Sequence, residues 1–214
     1  VSRVTLTFDN GPHPEVTPAV LDILRRHEVT AHFFVLGKNL GDAVGRGLVA
    51  RARDLGHRIG NHSFSHAVPL GQDPRSDAVL AEIATTAALL APLVEGPKSF
   101  RPFGGGGVLG PHLLSKAAVE HLVAHAYTCA LWSSVPHDWD DPDGWLARAV
   151  ADCAAQAHAV VVLHDVPGAC LASLERFLEA AAAQGMEFVA DLPRGCTPIV
   201  EGEVVGDLAG LVAD

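Results

Sequence analysis

Two histidines stand four residues apart in Asn61-His62-Ser63-Phe64-Ser65-His66, directly after a strand-like run ending Arg58-Ile59-Gly60. Read as one helical turn, the pair shares a face, with Cβ atoms roughly 5–6 Å apart. Two imidazoles at that spacing suit one small cation, and zinc is the commonest fit. Taken alone, such a pair is more often two solvated or core histidines. Two further polar clusters, Asp9-Asn10 and His164-Asp165, end other strand-like runs and favour the cation reading.

The elements that position these clusters follow from the hydropathy pattern. Short apolar runs alternate with amphipathic stretches. Strands are expected at Arg3–Phe8, Ala31–Leu36, His57–Gly60, Ser99–Arg101, Ala126–Trp132, Ala159–Leu163 and Glu187–Ala190. Helices are expected at 16–27, up to about Leu55, at 75–93 after Asp73-Pro74, at 111–125, at 141–157 and at 169–184. This βαβα alternation predicts a parallel sheet with outer helices. About seven or eight strands in one domain spanning 1–214 suit a closed or nearly closed, deformed (β/α) barrel. In such barrels the site lies at the C-terminal ends of the strands. Asp9-Asn10, His62, His66, Arg101, Asp138-Trp139 and His164-Asp165 all fall there.

Composition narrows the partners. The net charge is −10 with no basic run, which disfavours nucleic acid and anionic membranes. No window approaches twenty apolar residues, so no membrane span is expected. The four cysteines (Cys129, Cys153, Cys170, Cys196) form no C-x-x-C pair and read as reduced, buried thiols. The start at Val1 favours a cytoplasmic protein if native, and an exported one if a signal was removed upstream.

Taken in order, the clusters resemble the motifs of the polysaccharide deacetylases, carbohydrate esterase family four, over nearly the whole chain. Thr7-Phe8-Asp9-Asn10-Gly11-Pro12 is similar to T-F-D-D-G-P. His62-Ser63-Phe64-Ser65-His66 matches H-S/T-x-x-H. Arg101-Pro102-Phe103-Gly104 is an altered R-P-P-Y-G. Asp138-Trp139 keeps the end of D-x-x-D-W, with Val135 at its first position, and Leu163-His164-Asp165 is the last motif.

The resemblance implies a divalent metal, zinc first, on His62, His66 and the residue at position 10. It implies Asp9 as the base, Arg101 as its ionising partner, His164 as the acid and Asp138 as the group that orients it. Backbone N–H groups at Phe103 and Gly104 would bind the oxyanion, and Trp139 would line the substrate pocket. Each residue also has a blander reading. Asp9 before Gly11-Pro12 can cap a turn. A lone Arg101 is usually a surface group, Trp139 is more often core, and His164 can be a satisfied core histidine. Asp165 reads as structural. His13, His32, His57, His112 and His137 match no ligand slot and read mostly as solvated.

Asn10 is the main departure. An amide replaces the family's carboxylate, which weakens metal affinity and leaves a bound ion more electrophilic. Gly104 to Gly107 replaces an aromatic with a flexible loop, and aromatic content is only 6%, so a long polymer is poorly supported. The expected activity is hydrolysis of a non-peptide C–N bond, foremost de-N-acetylation of an amino sugar or short oligosaccharide. The alternatives are a small non-sugar amide or cyclic imide, and a catalytically weak carbohydrate-binding relative.

Overall fold

The computed structural model describes residues 1–213. Its first strand, β1 (Arg3–Asp9), shows how the site is set up. Alternate residues of a strand point to opposite faces. Val4, Leu6 and Phe8 enter the apolar layer beneath the outer helices. The intervening Thr5, Thr7 and Asp9 are buried polar groups on the other face. Strand β6 (His158–His164) runs beside β1 over its full length, which places His164 level with Asp9.

The remaining strands are β2 (His32–Val35), β3 (Arg58–Asn61), β4 (Lys98–Phe100), β5 (Tyr127–Cys129), β7 (Glu187–Phe188), β8 (Ile199–Val200) and β9 (Glu203–Val204). All lie in one sheet, ordered β6-β1-β2-β3-β4-β5-β8-β9, with β7 on the first residues of β1. Strands β1 to β7 are parallel, and β8 and β9 pair antiparallel. The sheet curls, and a bridge between Ser134 and Val161 links the segment after β5 back to β6. The expected deformed barrel of about seven parallel strands is therefore present.

Helices α1 (Val16–Arg26), α2 (Ala43–Asp54), α3 (Thr85–Leu90), α4 (Lys116–Ala124), α5 (Trp145–Ala154) and α6 (Leu171–Ala183) surround the sheet. Each of α1, α5 and α6 buries one apolar stripe, such as Val20, Leu21 and Leu24 of α1. On β6, Ala159, Val161 and Leu163 join that layer, while Val160 and Val162 face a second cluster with Phe100, Leu131 and Trp132. Among the described residues no helix is long and apolar enough to cross a membrane.

Several expectations need correction. The helix expected at 75–93 starts only at Ala78 and passes through a π-helical turn at Leu80–Ala84 before α3. Residues 111–114 precede α4 instead of belonging to it, and β5 stops at Cys129 because the chain then crosses towards β6. The C-terminal hairpin β8-β9 escaped notice because two-residue strands carry no periodicity. All four cysteines are free and buried, as expected.

His32 and His57 are buried, not solvated. His32 bonds the Ala190 carbonyl, and His57 Nδ1 accepts from the Ala31 N–H. Burial pushes both down to about 4. Groups with depressed folded values stabilise the fold above the unfolded value, about 6.5. That contribution is lost as pH falls through the folded value. Asp165, pushed up to about 6 by burial, acts in the opposite sense and offsets only part of it. Urea stability is therefore expected to fall by about 2 kcal/mol or more between pH 7 and pH 5. A midpoint unchanged over that range would contradict the burial of two neutral imidazoles.

Candidate active site

A cavity of about 390 Å³ opens at the C-terminal ends of the strands. Asp9, Asn10, His62, His66, Phe103, Gly104, Trp139 and His164 all reach its wall. Arg101 and Asp138, both fully buried, lie behind that wall. The structure thus brings together every site residue expected from the sequence.

Arg101 enters from the end of β4. Its Nη1 donates to Asp9 Oδ1 at 3.0 Å and to the Thr7 hydroxyl. Its Nε and Nη2 donate to the carbonyls of Ala130 and Leu131, both at 3.2 Å. The guanidinium carbon also lies 4.1 Å from the Phe34 ring centroid. A buried cation needs this degree of satisfaction. Burial pushes the Asp9 carboxyl up, but Arg101 first, then His62 and His164, outweigh it and hold it below its ordinary value.

Next to Asp9, at the end of the neighbouring strand β6, His164 is gripped twice by Asp138. Oδ1 takes the ring Nδ1 at 2.8 Å, and Oδ2 accepts the backbone N–H of His164 at 2.8 Å. A carboxylate can only accept from Nδ1, so Nε2 is left as the ring's working nitrogen. Burial pushes His164 down, yet Asp138 outweighs it and the net shift is upward. The Trp139 ring meets His164 edge-on at 4.8 Å and is part exposed at the rim. Asp165 accepts from the Thr17 hydroxyl at 2.5 Å and packs under Gly11, the structural role expected of it.

The histidine pair departs from the helical turn first inferred. His62 to His66 form a loop in which Ser63 (φ 73°) and His66 (φ 56°) are left-handed. Non-glycine residues there cost roughly 1–3 kcal/mol each and persist only where their surroundings over-determine them. The imidazoles still converge, with centroids 5.0 Å apart. His62 Nδ1 donates to the Arg101 carbonyl at 2.9 Å, which leaves Nε2 with a lone pair when the ring is neutral. Burial favours that neutral form at His62 and lowers His66 to about 3.

The donor set fits a cation. The His62 Nε2 lone pair faces Asp9 Oδ2 at 3.5 Å, so two acceptors oppose each other. Asn10 Oδ1 is buried without a hydrogen-bond partner among the described residues. A buried orphan acceptor is costly unless something answers it. No cluster of three His, Cys, Asp or Glu side chains suited to a metal occurs among the described residues.

Phe103 and Gly104 adjoin this pair. The Phe103 ring stacks on His66 at 3.8 Å, so it buttresses that imidazole as well as lining the cavity. The backbone N–H groups of Phe103 and Gly104 take no partner among the described residues. The glycine run, expected as a loop, forms a tight turn. Gly104 to Gly107 all have positive φ, and Trp132 Nε1 donates to the Gly107 carbonyl at 2.6 Å. Trp132, Val162 and Val166 line the cavity but were read only as strand or loop residues. Their position at strand ends was the available signal.

A family model described as polysaccharide deacetylase matches residues 1–117. The chain belongs to this family. Among the deacetylases, the peptidoglycan-N-acetylglucosamine deacetylase of Listeria monocytogenes is 32% identical over 187 residues, covering 87% of this chain and 37% of that protein. The chain thus spans little more than a third of that relative's length. The peptidoglycan-N-acetylglucosamine deacetylase of Bacillus cereus is 32% identical over 196 residues, covering 87% of this chain and 84% of that one. The structure of a family 4 acetyl xylan esterase from Clostridium thermocellum, in complex with a cobalt ion, superimposes with a TM-score of 0.69. It is 28% identical, with 87% of each chain covered.

Proposed function

We propose that residues 1–214 form one catalytic domain that removes the N-acetyl group from an amino sugar or a short oligosaccharide. The observation that carries this reading is the side-by-side placement of two ionisable pairs at one cavity. Arg101 holds Asp9 ionised, and Asp138 holds the neighbouring His164 protonatable. Asp9 takes the proton of the attacking water, and His164 Nε2 delivers a proton to the leaving amine. The N–H groups of Phe103 and Gly104 receive the negative charge that develops on the carbonyl oxygen. Trp139 offers an apolar face at the rim to a sugar ring.

His62, His66 and the side-chain oxygen of Asn10 would hold a divalent ion, and two imidazoles with one oxygen suit zinc. Such an ion would supply Lewis acidity and lower the pKa of a water bound to it towards neutrality. The cobalt-bound esterase and the two relatives named for N-acetylglucosamine deacetylation support this reading.

Acetate release from N-acetylglucosamine oligomers, run beside small amides and cyclic imides, tests the substrate. Release from the oligomers is expected. Turnover confined to a small amide or imide would replace the sugar reading, and binding of sugar without release would reduce the chain to a binding relative.

Asn10 gives a separate test. Asn10→Asp places a full negative charge where an amide dipole faces the ion. Zinc affinity is expected to rise at least tenfold, about 1.4 kcal/mol after screening. Calorimetric titration measures it directly. Equal affinities would mean that position 10 does not face the ion.

A further inference from the structure

The His62–His66 loop carries two left-handed residues, so something outside it must hold its shape. On one side, Gly37 and Lys38 donate to the carbonyls of Ser63, Phe64 and Ser65; on the other, three contacts on the central residues converge on one side chain. Glu82 lies in the π-helical turn Leu80–Ala84, is 3% exposed, and reaches over Phe64 and Ser65. Its Oε2 accepts the backbone N–H groups of Phe64 at 3.0 Å and Ser65 at 2.8 Å. Its Oε1 accepts the Ser65 hydroxyl at 2.8 Å and Arg75 Nη2 at 3.0 Å. Arg75 is itself held by Asp73 through Nε and Nη2. The next residue of the same turn assists, since the Ile83 carbonyl accepts from Asn61 Nδ2 while Asn61 Oδ1 accepts the Ser63 N–H. π-Turns inside helices recur at functional sites, and this one directs two consecutive residues at one loop.

We infer that Glu82 is a positioning residue: its carboxylate clamps Phe64 and Ser65 so that His62 and His66 stay convergent on one cation. This rests on the reading of the histidine pair as a metal site. The chemistry requires an acceptor-only group, because all four partners donate. An amide at position 82 turns one of its ends into a donor aimed at other donors. Released from the clamp, Ser63 and His66 relax towards ordinary φ, and the imidazoles separate. The metal loses its site while the barrel beneath it stays folded.

The test is zinc titration by calorimetry on the metal-stripped full chain, comparing the parent with Glu82→Gln. A second comparison uses Leu178→Ala, a core change on α6. Glu82→Gln is expected to bind zinc at least tenfold more weakly, with its far-ultraviolet circular dichroism unchanged. Leu178→Ala is expected to lower the thermal midpoint and leave zinc affinity alone. Parental affinity in Glu82→Gln would overturn the inference. So would an equal loss in Leu178→Ala, which would make the effect one of general stability. If Glu82→Gln does not fold, Arg75→Met decides. It removes one of the four partners, a threefold loss is expected, and no change would overturn the inference. A parent chain that binds no zinc would instead overturn the metal reading, and this inference with it.

Discussion

Asp9→Asn is expected to cut turnover by about a hundredfold or more, the usual contribution of a positioned general base. The substitution is nearly isosteric, so the Arg101 Nη1 bond can pass to the amide oxygen. What disappears is the negative charge that takes the proton from water. Because Arg101 holds the carboxyl below its ordinary value, the base is ionised throughout the neutral range. The acid limb of the parent's rate profile should therefore lie below the normal carboxylate region. The same substitution leaves the Arg101 cation buried without its counter-charge, and stability should fall by roughly 3–5 kcal/mol. Turnover must be compared at a temperature where both proteins are folded. Full activity in Asp9→Asn on a verified substrate would remove Asp9 from the chemistry.

His164→Ala is expected to cost a similar factor, about a hundredfold or more, through loss of the proton donor to the leaving amine. Here the fold should tolerate the change better, since His164 is not part of a buried ion pair network as large as that of Arg101. Asp138→Asn provides the finer reading. Asp138 raises His164 above its ordinary value, so protonated imidazole persists to higher pH in the parent. Removing that carboxylate lowers the His164 value, and the alkaline limb of the rate should move to lower pH. Turnover against pH for the two proteins measures it. An unmoved alkaline limb would show that His164 is not the group titrating there.

Much of this arrangement was legible in the sequence because polar residues at strand ends interrupt otherwise apolar runs. Asp9 ends Val4-Thr5-Leu6-Thr7-Phe8, and His164 ends Val160 to Leu163. Parallel pairing of the two strands then brings them level. The backbone of the His62 loop was not legible. The i, i+4 spacing suits a helix, and the loop is held instead by long-range contacts from Glu82, Gly37 and Lys38 together with the local Asn61 bond to Ser63. The π-turn that carries Glu82 has no local signal in the sequence. His32 and His57 were misread because charge-neutral burial of an imidazole depends on partners far along the chain, Ala190 for one and Ala31 for the other. The hairpin β8-β9 is too short to show alternation, and its place is set by pairing with β5.

Metal removal and restoration tests the central claim most directly. The chain would be stripped with a chelator and acetate release from N-acetylglucosamine oligomers followed as zinc is returned, with Asp9→Asn in parallel. Release should be abolished by stripping and restored in the parent by about one equivalent of zinc per chain. It should stay at least about a hundredfold lower in Asp9→Asn at every zinc level. Undiminished release by the stripped parent, or full restoration of the Asp9→Asn protein, would contradict the account.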